Sequence, residues 1–192
     1  MRKSGKIILI LGFLLIVISL GLVFYLQIQT KQAERTNEEI LQIMERLLVD
    51  RREGELDFER EPEMPVLELQ SKDFVGLLEI PSQGLKLPVG NVWDKKDIIS
   101  HPCRFHGSAY DGTIAIGGYD QSGQFDFFDH IEDGATVILT DRTGGSFSYV
   151  VKRIERSDSA EIEEIMDDQS DFTLFVRDAQ LLEYIYLRCV MK

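Results

Sequence analysis

Residues 7–26 read IILILGFLLIVISLGLVFYL, twenty consecutive positions without a charge. At about 1.5 Å of helix rise per residue, such a run matches a hydrocarbon core roughly 30 Å thick. In lipid a single segment satisfies its backbone polar groups only as a helix. Arg2, Lys3 and Lys6 precede the run and no acidic residue does, so the positive-inside rule keeps the N-terminus cytoplasmic. Phe24 and Tyr25 suit the outer interface. The competing reading is a cleaved signal peptide, whose apolar stretch is about 7–15 residues long and ends at a small-x-small site. This run is longer and continues Phe-Tyr-Leu-Gln-Ile-Gln, with no such site. The expectation is a single-pass plasma-membrane anchor at 7–26, a cytoplasmic tail at 1–6 and everything from residue 27 onward outside the cell.

The next segment, TNEEILQIMERLLV at 36–49, places Ile40, Met44 and Leu47 at i, i+4 and i+7, flanked by Leu41, Ile43 and Leu48. That is the stripe of an amphipathic helix. Thr36 with Glu39 three residues on is a capping-box signature and predicts a helix start. The stripe can cover the domain beyond or pair with a second copy. Two heptads fall short of a coiled coil, so covering is favoured and the oligomeric state stays open. Residues 50–63, DRREGELDFEREPE, lack apolar content and read as a flexible spacer completing a 27–68 stalk and linker. No internal repeat is present.

Charge narrows the function classes. The 192 residues carry a net −12, and since residues 1–6 hold +3, the remainder holds −15. A duplex nucleic-acid binder needs a basic stripe over the phosphates, so that class is excluded. An acidic outer part is also repelled by anionic lipid, which disfavours a flat membrane-surface role. Two cysteines exclude a disulfide-rich scaffold and a four-cysteine zinc site.

From residue 69 the texture becomes short β-type runs broken by turn residues. FVGLLEI (74–80) stops at Pro81, and GLKLPV (84–89) follows a Pro-Ser-Gln-Gly turn. TIAIG (113–117) suits a buried strand. ATVILT (135–140) and SFSYVVKRI (146–154) flank Asp-Arg-Thr-Gly-Gly, a hairpin signal. FTLFV (172–176) and EYIYLRCVM (183–191) close the chain, with helical turns expected at 125–131 and 160–166. Seven β-runs with only short helices predict a mainly β domain over 69–192, a barrel or a sandwich.

The order of these pieces resembles the sortases. FVGLLEIPSQGLKLPV is similar to the opening of that family, where a strand ends in Ile-Pro and the next ends in Pro-Val. The stretch from HPCRFHG through TIAIGGYDQSGQFDFFDHIEDGATVILTD follows the family's order: a buried strand, a Phe and short helix, a Gly-containing turn, and a strand. FTLFV resembles the Thr-Leu-x-Thr-Cys strand, and YIYLRC the strand bearing the catalytic Arg. The resemblance covers about residues 70–192. It implies an eight-stranded β-barrel and a cysteine transpeptidase that cleaves a Leu-Pro-x-Thr-Gly-like sorting signal and transfers the protein to an amine.

The chemistry departs from that family. Such a transpeptidase needs a thiolate, a His to protonate the leaving amine and a cation for the oxyanion. The resemblance puts the family's His at Tyr119, its Cys at Arg177 and its Arg at Tyr184, with Glu183 the alternative for the last. A phenol near pKa 10 is a poor proton shuttle at neutral pH, and a permanently protonated guanidinium is no nucleophile. The triad is absent, which predicts a pseudoenzyme. Its groove candidates are Tyr119, Arg177, Tyr184 and Arg188.

Other chemistry-bearing residues carry weaker signals. Cys103 and His106, three apart in HPCRFHG, form a loop pair read as incidental rather than catalytic. Cys189 reads as packed, or bonded to Cys103 outside the cell. Tyr184, Tyr186 and Arg188 alternate on one strand face, with Arg188 aimed at solvent or at the old cleft, solvent being favoured. Asp120, Asp126, Asp129, Glu132 and Asp133 lack the spacing of a calcium loop and read as a solvated face. His101, His106 and His130 have no zinc-like spacing, and Gly117-Gly118 lacks the Lys-Ser/Thr of a phosphate loop. No metal or cofactor is therefore expected. Two functions remain: a non-catalytic, membrane-tethered peptide- or protein-binding or scaffold domain, favoured, and a transpeptidase or protease with its nucleophile relocated to Cys103 or Cys189.

Overall fold

A computed structural model of the chain describes residues 2–52, 63–128, 130–159, 161–166, 169–178 and 182–192. The side chains of residues 2–10, 26–27, 29–34, 36 and 49–52 lie outside that description. Helix α1 spans Arg2–Arg52 without interruption. Its start is therefore not at Thr36, against the capping-box expectation. The reason is local: residues 27–36, QIQTKQAERT, contain neither Gly nor Pro, so nothing stops a helix arriving from the apolar run. Among the described residues no helix is long and apolar enough to cross a membrane. Of the apolar run, the side chains at 7–10 and 26 lie outside the described set, and those from Leu11 to Tyr25 that are large and apolar are exposed. The spacer expected at 50–63 lies almost wholly outside the described residues.

Among the described residues nine strands follow: β1 (Leu67–Leu69), β2 (Lys72–Ile80), β3 (Leu85–Gly90), β4 (Cys103–His106), β5 (Ile114–Tyr119), β6 (Thr136–Asp141), β7 (Ser146–Ser157), β8 (Phe172–Arg177) and β9 (Tyr184–Met191), with helix α2 (Ile162–Ile165) between β7 and β8. Their order is β1-β2-β3-β4-β5-β8-β9-β7-β6, and β6 pairs back onto β2. Strands β2 to β9 thus close an eight-stranded barrel, with β1 outside the ring as a short antiparallel flap on β2. Closure removes the unpaired edges that an open sheet would expose. The seven β-runs read from the sequence all become strands. Residues 103–106, read as a loop, form β4, and 67–69 form β1. The helical turn expected at 125–131 is instead a run of turns over 122–128, and that at 160–166 is shortened to α2.

Inward-facing residues alternate along each strand and fill the barrel: Val75, Leu78 and Ile80 from β2, Ile114 and Ile116 from β5, Phe172, Leu174 and Val176 from β8, and Ile185, Leu187 and Cys189 from β9. Phe125, Phe127 and Phe128 plug one end. The β6–β7 hairpin is organised by Asp141, whose buried carboxylate accepts from the backbone N–H groups of Thr143 and Gly145, from the Thr143 hydroxyl and from the Tyr110 hydroxyl. Gly144 in this turn has φ +87°, which favours glycine.

An apolar stripe on α1 does cover the domain, but at i, i+4 and i+8: Leu48 takes the place expected of Leu47, which is exposed. Ile40, Met44 and Leu48 are buried against Phe74 and Leu77 of β2, with Leu67 and Leu69 of β1 alongside. Each such side chain contributes on the order of 1.5–3 kcal/mol when fully buried. Glu45 of α1 pairs with Lys86 of β3 at 2.7 Å, and the Asn37 amide donates to the Ser100 carbonyl.

Candidate functional site

Strands β5, β8 and β9 lie side by side, and their outward faces make one surface. Register brings Tyr119 opposite Arg177, and Arg177 opposite Tyr184. The three therefore form a row across adjacent strands, at the strand spacing of about 4.8 Å. Tyr119 is 46% exposed, Tyr184 is half-buried and Arg177 is exposed. The Arg177 guanidinium lies 5.8 Å from the Tyr184 ring centroid, a cation–π distance. The backbone N–H of Tyr119 donates to the side-chain amide oxygen Oε1 of buried Gln124, which fixes this end of β5.

The next row on the same surface is Cys103, Gly117, Phe175 and Tyr186, in register across β4, β5, β8 and β9. Here the surface is roofed by aromatic rings. Trp93, from the connection between β3 and β4, stacks on Phe175 at 5.4 Å and meets Phe105 edge-on at 5.6 Å. Phe105 meets Phe175 edge-on at 5.5 Å, and Tyr184 stacks on Tyr186 at 6.4 Å. Gly117 is what makes room: a Cβ there would meet the Trp93 ring at 2.3 Å and the Phe175 ring at 2.5 Å. Of these rings the sequence motifs point to Tyr184 and Tyr186, and not to Trp93, Phe105 or Phe175. A lone Trp in a polar loop, NVWDKK, opposite a glycine within a buried strand was the available signal.

Arg188 is the third feature, and it is neither in solvent nor free in a cleft. It is 3% exposed. Its Nε donates to Glu155 at 2.8 Å, Nη1 to the Ile165 carbonyl at 2.8 Å and the Thr173 hydroxyl at 3.2 Å, and Nη2 to the Glu164 carbonyl at 2.5 Å. The guanidinium also lies 4.6 Å from the Tyr186 ring centroid. Arg188 thus corrects the expectation of a solvent-facing side chain. The β7–β8 connection folds α2 over β9, and Arg188 satisfies the two carbonyls at the end of that helix. It belongs to the scaffold of the site. A shallow polar cavity adjoins it, lined by Arg153, Glu155, Glu163, Glu164, Met166 and Gln169.

The two thiols are both free and fully buried, which corrects the disulfide alternative. Burial pushes each up to about 12, far from the thiolate range at neutral pH. Cys189 points into the barrel core. Cys103 lies beneath the β3–β4 connection, its Sγ 3.6 Å from the His101 carbonyl oxygen. His106 is exposed at the far end of β4, after a register shift, so it does not pair with Cys103. The histidine near Cys103 is His101: a Cβ on Gly90 would meet Cys103 Sγ at 2.9 Å and His101 Nε2 at 3.0 Å. Desolvation lowers His101 to about 4, with Lys72 adding repulsion. Cys103 is also two strands, about 10 Å, from the β8 column that holds Arg177.

Among the described residues, no group of three or more His, Cys, Asp and Glu side chains is placed to hold a metal ion. Asp129 of the acidic set lies outside the described residues.

Residues 78–181 match the family model of the sortase domain, more than half of the chain. The chain belongs to the sortase family. Solved sortases have the same fold at low sequence identity. Sortase C1 from Streptococcus agalactiae matches with a TM-score of 0.60 at 13% identity, over 82% of this chain and 98% of that one. Sortase A from Corynebacterium diphtheriae matches at 0.56 and 13%, over 85% and 92% of the two chains. Sortase C from Clostridium perfringens SM101 matches at 0.54 and 18%, over 85% and 95%. No curated protein matches the sequence significantly. Within this sortase barrel, β5, β8 and β9 present a tyrosine, an arginine and a tyrosine in one row, with no thiol, imidazole or carboxylate between them.

Proposed function

We propose that this sortase-family chain is a catalytically inactive, membrane-tethered domain that holds an extended peptide on the outward face of β5, β8 and β9. The observation that carries the reading is the Tyr119–Arg177–Tyr184 row. If these positions stand where the family keeps its His, Cys and Arg, acyl transfer has lost its nucleophile, its acid and its oxyanion cation at once. What remains is a cation between two phenols on rigid strands. An arginine in that setting binds a carboxylate in bidentate fashion, and the phenols supply flanking hydrogen bonds. The nature of the occupant is supported by a related structure, sortase C of Clostridium perfringens, described with the C-terminal cell wall sorting motif.

Tethering is supported by the uncharged run at 7–26 and the three basic residues before it. The domain is then extracellular, on the acidic side of the chain's charge asymmetry. The relocated-nucleophile alternative finds no support: Cys103 and Cys189 are buried with raised pKa values, Cys189 points into the barrel core, and Cys103 lies two strands from Arg177 beneath the β3–β4 connection.

The reading is tested by titrating a fluorescent Leu-Pro-x-Thr-Gly-type peptide into the full chain in detergent micelles. Saturable binding is expected, weakened roughly tenfold in Arg177→Ala, the scale of one lost charge-assisted hydrogen-bonding group. Binding that is absent, or equal in the two proteins, rejects it.

A further inference from the structure

We propose that the Trp93 indole is a tethered occupant of this peptide face, and that α1 holds it in place through the turn at Asp97–Ile99. The indole does what a bound side chain would do. It fills the concavity over Gly117, stacked on Phe175 and edge-on to Phe105, and it is only half-buried there. Its neighbours in sequence make no comparable seat: Val92 is 66% exposed, and Asp94, Lys95 and Lys96 are exposed. Among residues 92–96, Trp93 is therefore the side chain that packs on the barrel. Such a segment opens at low free-energy cost compared with a core strand.

Both ends of the loop are pinned. On one side, Arg104 donates to the Asn91 carbonyl at 3.2 Å and to the Asn91 side chain at 2.6 Å. On the other, Lys72 of β2 pairs with Asp97 at 2.7 Å. Gln121 and Gln124 donate to the Ile99 and Ile98 carbonyls at 2.6 and 3.1 Å, and the Asn37 amide of α1 donates to the Ser100 carbonyl. Gln124 also accepts from the Tyr119 N–H, so one chain of hydrogen bonds joins α1, the turn and the Tyr119 row. The ends fix where the loop can reach, and the indole falls on Gly117. A peptide bearing a large apolar side chain must displace Trp93 to use the same seat. The proposal rests on the peptide-binding reading only for what the indole excludes.

Trp93 is the single tryptophan of the chain, so its fluorescence reports the seat directly. Acrylamide quenching is measured on the full chain in detergent micelles, with far-UV circular dichroism confirming the barrel in every variant. Gly117→Ala places a methyl where the ring lies, and at least a twofold rise in the quenching constant is expected. Asn37→Ala releases the turn from α1, and a smaller rise in the same direction is expected. An unchanged constant in Gly117→Ala overturns the seat, and an unchanged constant in Asn37→Ala overturns the role of α1. Trp93→Ala is expected to bind the Leu-Pro-x-Thr-Gly-type peptide at least threefold more tightly than the native chain. Equal or weaker binding overturns the occlusion. If neither protein binds peptide, the peptide-binding reading fails, and the quenching results still decide the seat and its link to α1.

Discussion

Arg177 and Tyr184 face each other in register across β8 and β9, the guanidinium 5.8 Å from the ring centroid and Tyr119 on the other flank. The arginine is exposed, and its strand is held by backbone pairing on both sides. Replacing it separates binding from folding, because its side chain contributes little to the barrel. Arg177→Ala is expected to shift the thermal midpoint by less than about 2 °C while weakening peptide binding, since surface substitutions away from buried networks stay within about 0.5 kcal/mol. Differential scanning fluorimetry beside the binding titration checks it.

Arg188 should behave in the opposite way. It is buried, and its removal leaves the Ile165 and Glu164 carbonyls without this donor and leaves the Glu155 carboxylate with Arg153, at 3.3 Å, in place of two cations. Arg188→Leu is expected to destabilise the chain by about 2–4 kcal/mol, with the partly exposed Glu155 at the lower end of that cost because water can reach it. Urea unfolding measures this. A loss under about 0.5 kcal/mol would mean that the guanidinium network does not hold α2 to the barrel.

His101 sets an acid limit. It is buried between Phe74, Cys103 and the Lys72–Asp97 pair, and desolvation lowers it from about 6.5 to about 4. Its folded pKa lies below the unfolded one, so the unfolded state binds the proton first. The stability it confers is complete above about pH 6.5 and is lost as pH falls towards 4, by up to about 3 kcal/mol. The thermal midpoint of the native chain should fall over that window, and His101→Phe, which keeps the contact with Phe74, should flatten the slope. An unchanged slope assigns the acid sensitivity to other groups.

Both cysteines should be inert in the folded chain. With thiols at about 12, Cys103 and Cys189 are expected to react with a disulfide reagent at pH 7.5 at least a hundredfold more slowly than a free thiol, and at the ordinary rate in denaturant. Fast reaction of either one in the native state would revive the relocated nucleophile.

Much of the barrel was legible because its strands are short apolar runs that end at Pro81, at the Gly84 turn or at the Asp141–Gly145 hairpin. β4 was not, since HPCRFHG has turn-like ends and a β-bulge in place of alternation; its pairing is decided by β5. The row Tyr119–Arg177–Tyr184 could be assembled only through the family's order of motifs, because β5 lies far from β8 and β9 in the chain and pairs with β8 in parallel. Arg188 was misjudged for a related reason. Alternation tells which strand face a residue occupies, but only the path of the β7–β8 connection tells that α2 covers that face. Trp93 went unread because its partners, Phe105, Phe175 and Gly117, come together only when β4, β5 and β8 align.

A sortase barrel that binds without catalysing leaves its peptide whole. The direct measurement incubates the full chain in micelles with a Leu-Pro-x-Thr-Gly-type peptide and an amine acceptor, followed by mass spectrometry. Intact peptide, no acyl-enzyme adduct and no transfer product are expected at times when an active sortase completes the reaction. Cleavage or transfer that disappears in Cys103→Ala or Cys189→Ala would contradict this expectation.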